Sequence, residues 1–264
     1  MRYLLAVARV GCYGGVLLEG TFRGCRMRGS AMRPSGKPIA VFFCTATWLV
    51  IAAGTAWGGS IKGTVRLTNA APEPKTIRVT IDQYVCGKEI EPEDIVLSPE
   101  KGIRHAVVSL QTPPPGAKWE PAVRPVQIDQ KQCVFVPRVV VVPVGGTVEF
   151  LNSDRLLHNV RSFSKANPAF NKAHPRARTI SVVFKEPEII RVECDLHSWM
   201  RSWVVVADHP FYAVTNGRGE FSLDNVPAGK YTLRVWQESL GTVTREVTVG
   251  DKSVATVTVE MGKK

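Results

Sequence analysis

From residue 60 onward, short β-branched and aromatic runs alternate with turn residues. Within the runs, apolar positions recur every second residue. Thr147-Val148-Glu149-Phe150-Leu151 and Tyr231-Thr232-Leu233-Arg234-Val235 show it most clearly. A period of two is that of a strand with one buried face. The runs predict strands over 61–67, 76–81, 106–110, 138–142, 147–151, 189–194, 203–207, 231–236, 243–249 and 254–261. No stretch carries a 3.6-residue period with caps, so no substantial helix is expected. Asn216-Gly217 is a hairpin-turn signal, and Pro113-Pro114-Pro115-Gly116 is a stiff break. Many short strands with regular turns predict an all-β fold of two antiparallel β-sandwiches.

The first fifty-odd residues follow another pattern. Residues 39–53 are almost continuously apolar, after Arg33 and Lys37 and before the small residues Gly54-Thr55-Ala56. A basic stretch, a short apolar run and a small-residue cut site describe a secretory signal, cut after Ala56. The run is short for a membrane span; an uncleaved N-terminal anchor is the alternative, and the only membrane contact expected. Residues 1–31 fit no part of a signal, whereas Met32 would begin one of ordinary length. Residues 1–56 are therefore expected to be a signal with a misassigned upstream start, and the mature protein periplasmic or secreted.

Charge changes the picture little. The whole chain carries +11, but residues 1–56 hold seven basic residues and one acid. The remainder, with 27 basic and 22 acidic residues, is only mildly basic. That is weak ground for nucleic-acid binding, and none is expected. Export leaves three cysteines, Cys86, Cys133 and Cys194. An odd number in an oxidising compartment suggests one pair and one thiol with another task.

The chemistry concentrates at Cys194-Asp195-Leu196-His197-Ser198-Trp199-Met200, a turn between two apolar runs. It brings a thiol, an imidazole and a thioether onto one loop. A second imidazole, His158, follows the strand at 147–151 and the polar turn Asn152-Ser153-Asp154. Two His, one Cys and one Met are the donors of a blue-copper electron-transfer site, whereas zinc has little use for a thioether. His105, His174 and His209 lack such spacing and are read as surface or loop residues. No nucleophile–base pair and no glycine-rich phosphate loop is visible, so no enzyme activity and no catalytic residue is expected.

Three stretches make residues 133–207 resemble a cupredoxin of the plastocyanin and amicyanin superfamily. Val144-Gly145-Gly146-Thr147-Val148-Glu149-Phe150-Leu151-Asn152 is similar to the family's V-G-x-x-V-x-F-x-N strand. Leu157-His158-Asn159-Val160 resembles its P-H-N-V, with Leu in place of Pro. Residues 194–200 have the C-x-x-H-x-x-M spacing of the amicyanin ligand loop. The stretch from Ala213 to Trp236 resembles the closing half of the carboxypeptidase regulatory-like, or transthyretin-like, sandwich, whose opening strands would lie at 61–65 and 106–110. The resemblance implies a Greek-key cupredoxin domain at 123–207 inserted into a discontinuous transthyretin-like, Ig-like domain formed by 58–122 and 208–264. Two consecutive sandwiches are the alternative. The mature chain as a whole resembles secreted bacterial proteins of methylamine-utilization type.

The resemblance also implies roles. One type 1 copper would be held by Cys194, His158 and His197 with Met200 as the long axial ligand. Asn159 would stiffen the ligand loop from outside. With Cys194 so used, Cys86 and Cys133 become a candidate disulfide; two free thiols or a second metal site are the alternatives. Leu156, Leu157 and Trp199 would form an apolar patch around an exposed imidazole edge, flanked by Arg201. There a redox protein such as a c-type cytochrome or a dehydrogenase would dock. A basic collar at Arg155, Arg161, Lys165, Lys172, Arg176 and Arg178 would steer an acidic partner; a merely solvated face is the alternative. A copper-storage or carbohydrate- or envelope-binding module is the second functional reading. Trp119 and Tyr212 are its candidate glycan platform.

Overall fold

The computed structural model describes residues 58–70, 73, 75–120 and 124–262. The signal segment 1–56, its cut after Ala56 and the start at Met32 lie outside the described residues. The chain opens with β1 (Gly59–Leu67), β2 (Ile77–Arg78), helix α1 (Gln83–Cys86), β3 (Glu89–Ile90) and β4 (Val107–Leu110). A second run follows: β5 (Val126–Lys131), β6 (Val134–Val136), β7 (Val139–Pro143), β8 (Thr147–Asn152), β9 (His158–Ser162), β10 (Asn171–His174), β11 (Ile180–Val183), β12 (Glu188–Glu193) and β13 (Arg201–Ala207). The last is β14 (Tyr212–Val214), β15 (Glu220–Val226), β16 (Gly229–Gln237), β17 (Gly241–Val249) and β18 (Val254–Met261).

The fold is all-β, built as two sandwiches. The outer one pairs a β15-β1-β18 sheet with a β14-β4-β16-β17 sheet. The inner one pairs β10-β9-β12-β13-β7 with β11-β8-β5-β6. Most neighbours are antiparallel, but β1–β18, β5–β8 and β13–β7 run parallel. A period of two specifies which face is buried, not the direction of the partner strand.

Strand faces explain the runs without alternation. In β7, Val140 and Val142 enter the inner core, and Val139 and Val141 join a second cluster on the opposite face. In β13, Val204 and Val206 face the inner core while Trp203 and Val205 meet Val107, Tyr212, Val214 and Trp236 of the outer sandwich. Both faces are covered, so both strands read as continuous apolar runs. Trp203 and Trp236 pack edge to face, with centroids 4.9 Å apart. At the turn into β8, Gly145 has φ 81°. A Cβ on Gly146 would stand 2.5 Å from Val142 Cγ2 and 2.8 Å from the Pro143 carbonyl oxygen. The glycine pair is thus sterically required where β7 turns into β8.

Two local expectations are corrected. Asn216-Gly217 does lie in a tight turn, with the Asn216 side-chain oxygen accepting from the Arg218 and Glu220 N–H groups. The strands it joins belong to different sheets, so it is a crossing between layers and not a hairpin. The expected strand at 76–81 shrinks to Ile77–Arg78, followed by the four-residue α1. Val79, Cys86 and the partly buried Val85 and Ile90 pack into the inner core, not the outer one. A disulfide joins Cys86 to Cys133 in the turn between β5 and β6, the candidate pair left once Cys194 is assigned elsewhere. Residues 77–90 are thereby fastened to the inner sandwich beside the loops described next.

Candidate metal centre

Three loops converge at one end of the inner sandwich. β8 delivers the turn Ser153–Leu157, β9 begins on His158, and the loop between β12 and β13 carries Cys194 to Met200. The loop at 194–200 is tightly closed. The Cys194 N–H donates to the Met200 carbonyl at 3.3 Å, and the Met200 N–H to the His197 carbonyl at 2.9 Å. Asn159 holds it from β9: its Oδ1 accepts from the Asp195 N–H at 2.6 Å, and its Nδ2 reaches Asn171 Oδ1 at 2.7 Å. Asp195, on the surface, takes hydrogen bonds from Asn171, Arg161 and Asn159. Those bonds, Asn171's foremost, hold its carboxyl below the usual carboxylate range.

The donor atoms of His158, Cys194 and His197 lie within 4.8 Å of one another. The two Nδ1 atoms are 3.1 Å apart, and each is 3.8 Å from Cys194 Sγ. A point equidistant from these three atoms lies roughly 2.1 Å from each, an ordinary metal–imidazole length. Met200 is buried in the same core beside Cys194.

The outer nitrogens decide what those Nδ1 atoms are. His158 Nε2 lies 2.9 Å from Asp154 Oδ2, and His197 Nε2 lies 3.2 Å from Asp82 Oδ2. A carboxylate only accepts, so each Nε2 carries the ring proton. A neutral imidazole then has a bare lone pair on Nδ1. Burial holds His158 below the usual imidazole range, more strongly than Asp154 raises it, so its ring stays neutral. With both rings neutral, two lone pairs would face each other next to a buried thiol. Such an arrangement repels unless a cation sits between them, and a carboxylate behind each imidazole is the usual outer shell of a metal site. The residues fit a soft metal ion. Burial pushes the Cys194 thiol up, against the pull of the Asn159, Leu196 and His197 backbone N–H groups. Metal binding must therefore displace a proton from Cys194.

Other expected positions fall out differently. Neither candidate imidazole presents an exposed edge: His158 and His197 are both 0% exposed. Asp82, carried at the start of α1, covers the His197 edge where a partner was expected to dock. Leu156 and Trp199 pack against the inner core, and Trp199 Nε1 donates to the Cys133 carbonyl at 3.0 Å. Leu157 remains exposed. Arg201 lies among Glu193, Asp94 and Glu238, with its closest contact 2.9 Å from Glu193. Trp119 and Tyr212 are both half-buried, and Tyr212 packs in the contact between the sandwiches.

Of the histidines read as surface or loop residues, His209 does lie in the loop between β13 and β14 and His174 ends strand β10, but both are buried. The His174 ring spans Gln130 Oε1 at 2.7 Å and the Arg178 carbonyl at 2.6 Å; His209 Nε2 donates to the Leu110 carbonyl at 3.1 Å. Burial holds both below the usual imidazole range. Below the ordinary value of 6.5 the unfolded chain takes up protons that the fold refuses. The stabilisation is thus present above that pH and lost as pH falls toward the lower folded values. The urea midpoint of metal-free protein is expected to drop steadily from pH 7 to pH 5. A flat profile over that range contradicts this.

Asp82 and Asp154 were missed by the sequence reading. Asp154 stands four residues before His158 and was legible by spacing, whereas Asp82 is 115 residues from His197 and carries no local signal.

Residues 203–262 match the family model of the carboxypeptidase regulatory-like domain, a stretch running from β13 through β18. No curated protein sequence matches the chain. Among solved structures, it is similar to a purple cupredoxin from Nitrosopumilus maritimus at 24% identity, over 31% of this chain and 99% of that one, with a TM-score of 0.28. A reduced amicyanin variant is 23% identical over 38% of this chain and 98% of its own, with a TM-score of 0.30. A Cu-containing nitrite reductase from Thermus scotoductus SA-01 is 21% identical over 50% of this chain, with a TM-score of 0.31. The chain spans 28% of that reductase's length. Among the described residues no helix is long and apolar enough to cross a membrane.

Proposed function

We propose that this is an exported carrier of single electrons that holds one type 1 copper and turns over no substrate. The observation that carries the reading is the convergence of two bare imidazole nitrogens on a buried thiol, each imidazole backed by a carboxylate. His158, Cys194 and His197 would hold the ion, with Met200 as a fourth donor. Copper bound there supplies one-electron exchange between its two oxidation states.

The chain's own residues do the rest. Asp154 and Asp82 fix the ring protons on Nε2 and leave Nδ1 free. Asn159 clamps the Asp195 amide and with it the ligand loop, so the donors keep their positions when charge changes. The inner core excludes water from the thiol. Electrons would pass through the packed groups around His197, among them Trp199, whose ring centroid lies 5.3 Å away. The partner would be a redox protein such as a c-type cytochrome or a dehydrogenase, with an acidic face for the basic collar. The place of work would be the periplasm or outside the cell, a reading supported by the apolar run at 39–53 after Arg33 and Lys37. No role in nucleic-acid binding is proposed.

A second reading rests on the burial of both imidazoles. A centre with no exposed ligand edge also suits copper storage or delivery. Copper titration with protein-film voltammetry separates the two. Electron transfer predicts one copper per chain and one reversible one-electron wave. One retained copper without a wave favours storage, and no stoichiometric copper overturns both.

A further inference from the structure

Asp82 is an unusual start for a helix. It sits in the left-handed region at φ 52° and ψ 29°, which non-glycine residues seldom adopt, though Asp tolerates it best. An aspartate at a helix start normally turns its carboxylate back onto the first free N–H groups. Here no such bond forms. The carboxylate points instead to His197 Nε2, 3.2 Å away.

The disulfide closes this contact into a ring. Asp82 begins α1, and α1 ends on Cys86. Cys86 is bonded to Cys133. The Cys133 N–H donates to Asp154 Oδ2 at 2.9 Å, and the Gln132 N–H to Asp154 Oδ1 at 2.6 Å. Asp154 Oδ2 in turn meets His158 Nε2 at 2.9 Å. Each disulfide cysteine also approaches a ligand: Cys86 and Cys133 lie within 4.8 Å of a His197 ring nitrogen, and Cys133 within that distance of Asp154 and His158. Trp199 completes the collar, with its ring against His197 and its Nε1 on the Cys133 carbonyl.

We propose that Asp82 is a positioning residue for His197, and that the Cys86–Cys133 disulfide holds Asp82 and Asp154 in place together, so that one covalent link sets the orientation of both imidazoles. The proposal rests on His158 and His197 being metal ligands. It assigns the short excursion at 77–90 a task the outer sandwich does not perform: it brings a carboxylate to the metal centre from a distant part of the chain. A carboxylate behind a ligand imidazole fixes its tautomer and is worth about 10–100-fold in metal affinity.

The test uses the full chain and begins without metal. Imidazole nitrogen-15 NMR reports which ring nitrogen carries the proton. The wild type is expected to show Nε2–H on both His158 and His197. Asp82→Ala should let His197 mix tautomers and leave His158 unchanged. Asp82→Asn keeps an acceptor oxygen and should restore the wild-type pattern. Cys86→Ser with Cys133→Ser should disturb both rings; if that variant does not fold, metal-free wild type reduced with a phosphine serves instead. Copper(II) affinity should fall about 10–100-fold in Asp82→Ala and recover in Asp82→Asn. An unchanged His197 tautomer in Asp82→Ala overturns the positioning role. Undisturbed rings after loss of the disulfide overturn its part. The tautomer pattern without any copper binding would instead count against the copper reading alone.

Discussion

Replacing Cys194 with serine is expected to weaken copper(I) binding by about several hundredfold. Structural metal sites with four donors hold their ion with about 10–16 kcal/mol, so one donor accounts for about 2.5–4 kcal/mol. At about 1.4 kcal/mol per tenfold, that is about sixty- to seven-hundredfold. The thiol is the softest donor present and the one that most favours copper, so its loss sits at the upper end. The fold should survive. Cys194 is buried, but serine is smaller and the backbone N–H groups that face the sulfur can face a hydroxyl. Competition against a copper(I) chelator measures the change, and circular dichroism checks the fold. A folded variant with wild-type affinity would remove Cys194 from the site.

Arg138→Leu is expected to cost about 3–5 kcal/mol of stability, a figure typical of breaking one side of a buried ion pair. Arg138 precedes β7 in the inner sandwich and is 5% exposed. Its Nε and Nη2 form a fork onto the Glu238 carboxylate at 2.9 and 3.0 Å, and Nη2 also reaches Asp94 at 2.8 Å. Glu238 follows β16 in the outer sandwich and is 6% exposed in its side chain. Without Arg138 its charge stays buried, with Arg201 at 3.8 Å in partial compensation. Arg138→Leu combined with Glu238→Leu should recover much of the loss, because an apolar pair needs no desolvated charge. Urea denaturation of the two variants gives both numbers. A loss under about 1 kcal/mol for Arg138→Leu would show that the fork contributes no more than a surface pair.

What was legible in the sequence was what is local. The strand pattern at 147–151 reappears in β8, whose burial alternates residue by residue. The C-x-x-H-x-x-M spacing placed Cys194 and His197 on one loop. His158 comes to the same centre because β9 starts where the polar turn after β8 ends. Distance along the chain hid the rest. Nothing near Asp82 signals a contact 115 residues away, and a four-residue helix is too short to show a period. β10 reads as polar Asn-Lys-Ala-His, yet pairing with β9 buries His174 while its neighbours stay exposed. The expected imidazole edge at the surface failed for the same reason: the covering group comes from the segment before the inner sandwich. Parallel pairing of β1 with β18 was equally invisible, because alternation is identical in either direction.

The central claim, a copper held by thiolate and two imidazoles, is tested most directly by the visible and electron-paramagnetic spectra of the protein loaded with one equivalent of copper(II). The account predicts an intense thiolate-to-copper band and a narrow copper hyperfine splitting, both absent in Cys194→Ser. A colourless protein, or a tetragonal copper signal that the substitution leaves unchanged, would contradict it.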